Sequence, residues 1–160
     1  MPPLHRDLDH VAALLGTWSG VGRGEYPTIE PFEYHESISF SHVGKPFLAY
    51  AQRTRSSADP PLPLHAETGY WRFPDAGRVE LVLAHPTGVV EVEEGTLDAS
   101  TGVVRIELAT TTVAGTASAK SITALTRSIT VDGDVLTYDL AMAAVGLPLQ
   151  HHLTASLRRD

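Results

Sequence analysis

Alternating hydrophobic and polar residues extend over most of the chain and predict β-strands. Phe32, Tyr34, Ile38 and Phe40 alternate with polar residues up to Ser41, as expected for a strand with one buried face. The same reasoning predicts further strands over 47–54, 64–73, 78–85, 89–97, 103–112, 120–131, 135–145 and 149–158. Turn sequences rich in Gly, Pro, Asp and Ser separate these segments.

The predicted strands follow one another at nearly regular spacing, with almost no helix between them. This pattern indicates an all-β fold: an antiparallel up-and-down β-barrel of about ten strands, closed so that no strand edge is left unpaired. Such a barrel has room inside for one small ligand. The length of 160 residues predicts a single domain over 1–160. A short amphipathic N-terminal helix ending before Gly16 is predicted by apolar residues three and four apart: Leu4, Leu8, Val11, Ala12 and Leu15.

Glycines alternate along the segment that follows this helix. The segment is not a phosphate-binding loop, because it lacks the required glycine spacing and a following Lys-Ser or Lys-Thr, and it runs into Tyr26-Pro27 instead of a helix. As a strand it has one face almost without side chains, which indicates either a sharp bend or a flat object lying close to the backbone. That face comprises Gly16, Trp18, Gly20, Gly22 and Gly24.

Composition narrows the classes of partner. The net charge of −7, with Lys45 and Lys120 as the only lysines, disfavours nucleic acid and other polyanions. There is no cysteine, which excludes disulfides and thiolate sites and suits a reducing compartment. No signal-peptide pattern and no apolar run of about 18 residues occur, so we expect a cytoplasmic protein without membrane association.

Histidines are the main candidates for chemistry. His151 and His152 are adjacent, so a regular strand would place them on opposite faces. Because Leu153, Ala155 and Leu157 have a core-facing pattern, alternation favours His151 as the inward residue, unless both are surface residues. His65 opens a strand and His85 ends one, so each lies either at a barrel mouth or at a solvated strand end. His5, His10, His35 and His42 are interpreted as surface or local structure.

Two common hydrolytic sites are excluded by the sequence. There is no G-x-S-x-G nucleophile motif, and no helix carries the two histidines and glutamate of a zinc protease. Glu91, Glu93 and Glu94 resemble a glycosidase pair only in composition. Alternation instead predicts that Glu91 and Glu93 are solvated and that Val90 and Val92 point inward.

Several ordered motifs resemble the nitrobindins over nearly the whole chain, from about Leu14 to Arg158. They are Gly16-x-Trp18-x-Gly20-x-Gly22, Tyr26-Pro27-Thr28-Ile29, the segments 31–34, 42–46 and 88–95, and His152-Leu153. The resemblance implies a ten-stranded barrel similar to lipocalins and fatty-acid-binding proteins that holds one solvent-accessible haem b per chain. It also implies a ferric iron that binds nitric oxide and isomerises peroxynitrite to nitrate.

The resemblance assigns roles to particular residues. His152 is implied as the axial iron ligand and catalytic residue, which requires a local bulge because alternation favours His151. The glycine-tryptophan motif is implied to form one wall beside the haem. Further haem contacts are implied for Thr28, Leu64, His65, His85, Lys120 and Met142.

Two alternative functions remain open at this point. One is haem storage or nitric oxide sensing without catalysis, and the other is binding of a fatty acid or another apolar ligand. We expect a monomer or a weak homodimer.

Overall fold

The computed structural model describes residues 1–160 and is a closed barrel of ten antiparallel strands. Each strand pairs with the next along the chain, and the first pairs with the last, so the barrel has no free edge. The predicted up-and-down barrel is therefore confirmed. The strands are β1 Gly16–Tyr26, β2 Ile29–Ser41, β3 Phe47–Ser56, β4 Pro63–Asp75, β5 Arg78–Ala84, β6 Val89–Asp98, β7 Val104–Gly115, β8 Ile122–Asp132, β9 Val135–Ala144 and β10 Gln150–Arg159.

A short N-terminal helix, Arg6–Leu14, closes one end of the barrel. It is a 3₁₀ helix, and its buried residues Leu8, Val11 and Leu14 are three apart, which matches one 3₁₀ turn. The sequence pattern anticipated a helix here but grouped Ala12 and Leu15 with the buried face, and Ala12 is exposed. No helix in the structure combines the length and the apolar character needed to cross a membrane.

Both ends of the chain hold this helix against the barrel. The indole Nε1 of Trp18 donates a hydrogen bond to the Leu14 carbonyl at 2.9 Å. The Arg159 guanidinium lies 4.1 Å from the centre of the Trp18 ring and donates to the carbonyls of Leu15 and Ala13. Because this end of β1 is closed, the interior opens at the opposite end, where β1 terminates at Tyr26.

The glycine face of β1 is covered by aromatic rings of β2. Gly22 pairs with Tyr34 and Gly24 with Phe32, and a Cβ added to either glycine would overlap the ring of its partner. The flat objects beside this backbone are therefore these two rings. Tyr34 and Phe32 line the interior at this position, whereas the glycines and Trp18 of the motif are not among the lining residues. The expectation that the glycine motif forms a wall beside a haem stays a prediction.

We predict that Gly22→Ala destabilises the barrel by about 1–3 kcal/mol, since the added methyl group forces the Tyr34 ring out of its place. Urea unfolding followed by tryptophan fluorescence measures the change. Gly77→Ala is the matched control, because its Cβ would meet no atom closer than 3.7 Å. Equal unfolding midpoints for the two variants would contradict the interpretation of the glycine face.

Candidate functional site

A cavity of about 570 Å³ occupies the open half of the barrel. This volume lies within the range of small-molecule and cofactor sites, roughly 300–1,000 Å³. Its 27 lining residues include 16 hydrophobic ones. The apolar residues nearest the mouth come from five strands and are Ile29, Phe32, Leu64, Ile122, Leu125, Leu140, Met142 and Leu153.

His152 lines this cavity because β10 contains a bulge. His151 pairs with Ala141 and Leu153 pairs with Leu140, so His152 is an extra residue between two successive pairs. The bulge turns His152 inward although Leu153 also contributes to the lining. The imidazole Nδ1 lies 2.9 Å from the backbone carbonyl oxygen of Glu25, and the ring packs edge-on against Tyr26 at 5.4 Å.

The contacts of His152 determine its tautomer. A carbonyl oxygen only accepts hydrogen bonds, so Nδ1 carries the proton and Nε2, which makes no hydrogen bond within the protein, presents a lone pair. Burial lowers the pKa of His152, which favours the neutral ring. A neutral imidazole oriented through its other nitrogen is the donor expected of an axial haem ligand, and the apolar cavity suits a macrocycle. The residues present therefore fit a haem.

His151 lies outside the cavity. Its Nδ1 is 3.0 Å from a carboxylate oxygen of Glu25, and its Nε2 is 3.3 Å from Asp139. The prediction from strand alternation that His151 points inward is thus wrong. Alternation holds only for a regular strand, and the bulge changes the facing by one residue.

The remaining predicted contact residues divide into two groups. Leu64, His65, His85 and Met142 line the cavity. Thr28 lies in the turn between β1 and β2, is exposed and is not among the lining residues. Lys120 is likewise exposed, in the connection before β8, whose first residue is Ile122 instead of the predicted Lys120. Contact of Thr28 and Lys120 with a cofactor stays a prediction.

Sequence reasoning missed a band of polar side chains at the floor of the cavity. This polar belt lies between the apolar mouth and the hydrophobic core of 22 buried residues beneath the helix, and core residues such as Ile38, Phe40 and Trp71 also line the cavity. Eight of the ten members are buried, and nine of the ten lie on strands. The polar belt comprises Tyr34, Glu36, Tyr50, Gln52, Glu67, His85, Glu91, Glu93, Arg127 and Tyr138.

Arg127 is the centre of the polar belt. Its guanidinium donates from Nε to Glu93 at 2.7 Å, from Nη1 to Glu67 at 3.0 Å and from Nη2 to Glu91 at 3.0 Å. Glu67 also accepts from the Tyr50 hydroxyl at 2.8 Å. These contacts explain why a guanidinium with 9% side-chain exposure is tolerated, since buried charges require paired and hydrogen-bonded partners.

The prediction that Glu91 and Glu93 face solvent is wrong. Glu91 is 1% exposed and Glu93 is 0% exposed, whereas Val90 is 50% exposed. The prediction assumed that the apolar residues of β6 face inward. In the structure the interior contains Arg127, whose charge is paired with Glu91 and Glu93. Burial by itself would raise the pKa of Glu91, but Arg127 and His85 outweigh burial and lower it. Burial and the adjacent Glu91 raise the pKa of Glu93.

Glu36 forms a second branch of the polar belt. Its Oε2 accepts from the Gln52 amide at 2.9 Å and from the Tyr138 hydroxyl at 2.6 Å, and Tyr34 contacts Tyr138 at 2.7 Å. The other oxygen, Oε1, is buried without a partner. Burial raises the pKa of Glu36 to about 7, against the lowering effect of its hydrogen bonds.

His65 and His85 connect the polar belt with the cavity mouth. His65 Nε2 lies 3.0 Å from His85 Nδ1, and His85 Nε2 lies 2.8 Å from Glu91. A carboxylate accepts, so His85 carries its proton on Nε2 and its Nδ1 is the acceptor. His65 therefore donates to His85. The chain of contacts extends from a half-buried histidine to the buried Arg127.

Known proteins similar to this chain share both its sequence and its barrel. The family of THAP4-like, heme-binding beta-barrel domains matches residues 7–159. The chain is 64% identical over 156 residues to peroxynitrite isomerase 2 of Mycobacterium ulcerans, covering 98% of this chain and 96% of that protein. It is 56% identical over 157 residues to peroxynitrite isomerase of Nocardia farcinica, covering 98% and 93%. The crystal structure of Rv2717c from M. tuberculosis superimposes with a TM-score of 0.95 at 51% identity, covering 99% of each chain.

We predict that Glu36→Gln weakens the pH dependence of stability between pH 5 and 8. The raised pKa of Glu36 means that the folded protein binds a proton more tightly than the unfolded chain does. The associated stability is present below the unfolded pKa and is lost as pH rises through about 7, an effect on the order of 3 kcal/mol. Urea unfolding at several pH values measures it.

Glu94→Gln serves as the matched control, because Glu94 is an exposed neighbour on β6. This control should follow the wild-type pH profile. A parallel profile for Glu36→Gln as well would contradict the assignment of a protonated Glu36 below pH 7.

Proposed function

The chain belongs to the family of THAP4-like, haem-binding β-barrel domains, and on this premise we propose that it isomerises peroxynitrite to nitrate with a bound haem b. The resemblance to nitrobindins inferred from the sequence motifs is thereby confirmed at the level of the family. Two relatives at 64% and 56% identity that this chain covers almost completely are peroxynitrite isomerases, which supports the same reaction here.

One observation in the structure carries the proposal most directly: the orientation of His152. Its Nδ1–H is held by the Glu25 carbonyl at 2.9 Å, so Nε2 is left with a lone pair in a largely apolar cavity. In metalloproteins, a ligating histidine almost always donates its other N–H to such a partner, which fixes the ring and increases the basicity of the ligand nitrogen. His152 is accordingly proposed as the axial ligand and catalytic residue.

When bound, haem supplies an iron centre at which small nitrogen oxides bind and peroxynitrite rearranges to nitrate. Isomerisation conserves all atoms and electrons, so the site needs no reductant and no second substrate. The residues of the chain hold and shield the cofactor. Leu125, Leu140 and Met142 supply an apolar wall that excludes water, and His152 orients the ligand nitrogen.

Other parts of the proposal rest on the sequence motifs and composition. These are the ferric state, one haem per chain, nitric oxide as a second ligand, and a monomer or weak homodimer. A cytoplasmic location belongs with them and is supported by the absence of cysteine.

The polar belt disfavours the alternative of a fatty-acid carrier. A carboxylate ligand requires a free cationic or hydrogen-bonding partner inside the barrel, but Nε, Nη1 and Nη2 of Arg127 each contact a glutamate. Three buried glutamates contact this one guanidinium, so it is already paired and is not free to bind another carboxylate. Haem storage or sensing uses the same cavity and differs from catalysis only in turnover.

We predict that His152→Ala loses the spectrum of a histidine-ligated haem, while His151→Ala retains it. His151 is the matched control because it is adjacent, has the same side chain and lies outside the cavity. The measurement is the Soret band of reconstituted protein, with and without nitric oxide. Added imidazole should restore the band in His152→Ala if the lost function is ligation. Loss of the band in His151→Ala alone would reverse the assignment.

Catalysis is tested separately from haem binding. We expect haem-loaded protein to accelerate peroxynitrite decay beyond an equal concentration of free haem, with nitrate as the product, in stopped-flow measurements. His152→Ala should lose most of this acceleration, since axial ligation positions the iron and tunes its reactivity. Intact haem binding with decay no faster than free haem would favour storage or sensing.

A further inference from the structure

Three side chains at the edge of the polar belt place metal-binding atoms close together. They are His65 and Glu67 on β4 and His85 just after β5, and one ligand atom from each lies within 4.8 Å of the others. His65 Nε2 is 3.0 Å from His85 Nδ1, 3.9 Å from Glu67 Oε2, and Glu67 Oε2 is 3.6 Å from His85 Nδ1. All three residues also line the cavity.

The spacing of these atoms matches the size of a divalent transition-metal ion. The circle through three points separated by 3.0, 3.6 and 3.9 Å has a radius of about 2.1 Å, and metal–ligand distances for zinc are about 2.0–2.2 Å with nitrogen and carboxylate oxygen. A cation near the centre of this triangle would thus contact all three atoms without movement of the backbone.

The surroundings orient the donor atoms for this role. Glu91 accepts from His85 Nε2 at 2.8 Å, which leaves the lone pair on Nδ1. Glu67 makes its shorter contacts to Arg127 and Tyr50 through Oε1, at 3.0 and 2.8 Å, whereas Oε2 has only a longer Arg127 contact of 3.4 Å. Glu67 Oε2 therefore retains a lone pair that can coordinate a cation.

His65 would change its tautomer when a cation binds. In the metal-free arrangement His65 Nε2–H donates to His85 Nδ1. Coordination replaces this hydrogen bond and places the proton of His65 on Nδ1, which has no partner within the protein and belongs to a side chain with 36% exposure. This tautomer change costs little, because water can solvate the half-exposed ring.

Charge favours a cation at this position. Glu67, Glu91 and Glu93 are buried around the single guanidinium of Arg127. The belt thus has more carboxylates than cationic groups to pair with them, and buried carboxylates are stabilised by coordination as well as by ion pairs.

We propose that His65, Glu67 and His85 form a binding site for a divalent transition-metal cation, separate from the haem ligand His152. Two imidazole nitrogens and one carboxylate oxygen are a ligand set typical of zinc and of non-haem ferrous iron. Three protein ligands leave at least one coordination position for water or a small ligand on the cavity side. The proposal does not depend on haem binding or on isomerase activity.

Zinc binding to the full chain tests the proposal. Protein freed of metal by a chelator is titrated with Zn²⁺ against a chromophoric chelator, and Co²⁺ replaces Zn²⁺ as an optical probe of coordination. We expect one Zn²⁺ per chain, and we expect His65→Ala and His85→Ala each to lower the affinity about 100-fold or more. Glu91→Gln should lower it about 10–100-fold, because Glu91 orients His85 but contributes no atom to the proposed ligand set.

Three controls separate this site from other histidines. His35→Ala removes an exposed histidine on β2, His151→Ala removes the exposed histidine beside Glu25 and Asp139, and His152→Ala removes the proposed haem ligand. Each should bind Zn²⁺ like the wild type. The His152→Ala result also keeps the test independent of haem.

The outcomes are distinguishable even if a buried variant folds poorly. His65 is half-exposed and holds no ion pair with Arg127, so His65→Ala should keep the wild-type circular dichroism spectrum and unfolding midpoint. Wild-type protein without stoichiometric Zn²⁺ binding overturns the proposal, and so does wild-type affinity in folded His65→Ala. Loss of binding in His151→Ala instead would place the cation at the exposed cluster and equally overturn it.

Discussion

The burial of one guanidinium determines much of this barrel. A buried charge without partners is costly, and breaking a buried ion pair typically costs about 3–5 kcal/mol, so Arg127 on β8 requires carboxylates at fixed positions. Glu67 on β4 and Glu91 and Glu93 on β6 supply them. These contacts cross the barrel interior, whereas the ladder hydrogen bonds connect only neighbouring strands. They therefore connect β4, β6 and β8 across the interior.

Two sets of donor atoms reach the same cavity, and different parts of the barrel hold them in place. His152 depends on the bulge in β10 and on the Glu25 carbonyl, while His65 and His85 depend on β4, the end of β5 and Glu91. Backbone irregularity positions the first set, and the polar belt orients the second. Because the supports share no residue, the orientation of His152 is physically independent of the ion pairs of Arg127.

Most of the fold could be predicted from the sequence, because strand alternation and turn residues are local signals. The interior polar residues were harder to predict. Alternation divides the residues of a strand into two faces, but it does not say which face is buried unless the buried face is assumed to be apolar. A better signal was present: Glu91 and Glu93 have the same parity as the buried Val89 and Leu97, and Arg127 has that of its core neighbours Leu125 and Ile129. The glycine face was compatible with a sharp bend or with a flat neighbour, and only the β1–β2 register identifies Tyr34 and Phe32 as its neighbours.

The site residue His152 illustrates a different limit. Periodicity favours His151, and no local feature of the sequence marks the bulge that reverses the two. The family motif selected His152, which faces the cavity. A motif identifies a residue by its position in the sequence, so it does not depend on the regular alternation that the bulge interrupts. The bulge lies beside a second irregularity: β1 shifts register between Gly24 and Tyr26, and the carbonyl of Glu25 between them accepts a hydrogen bond from the His152 side chain. Two adjacent irregular strands thus hold one oriented imidazole at the mouth of the barrel.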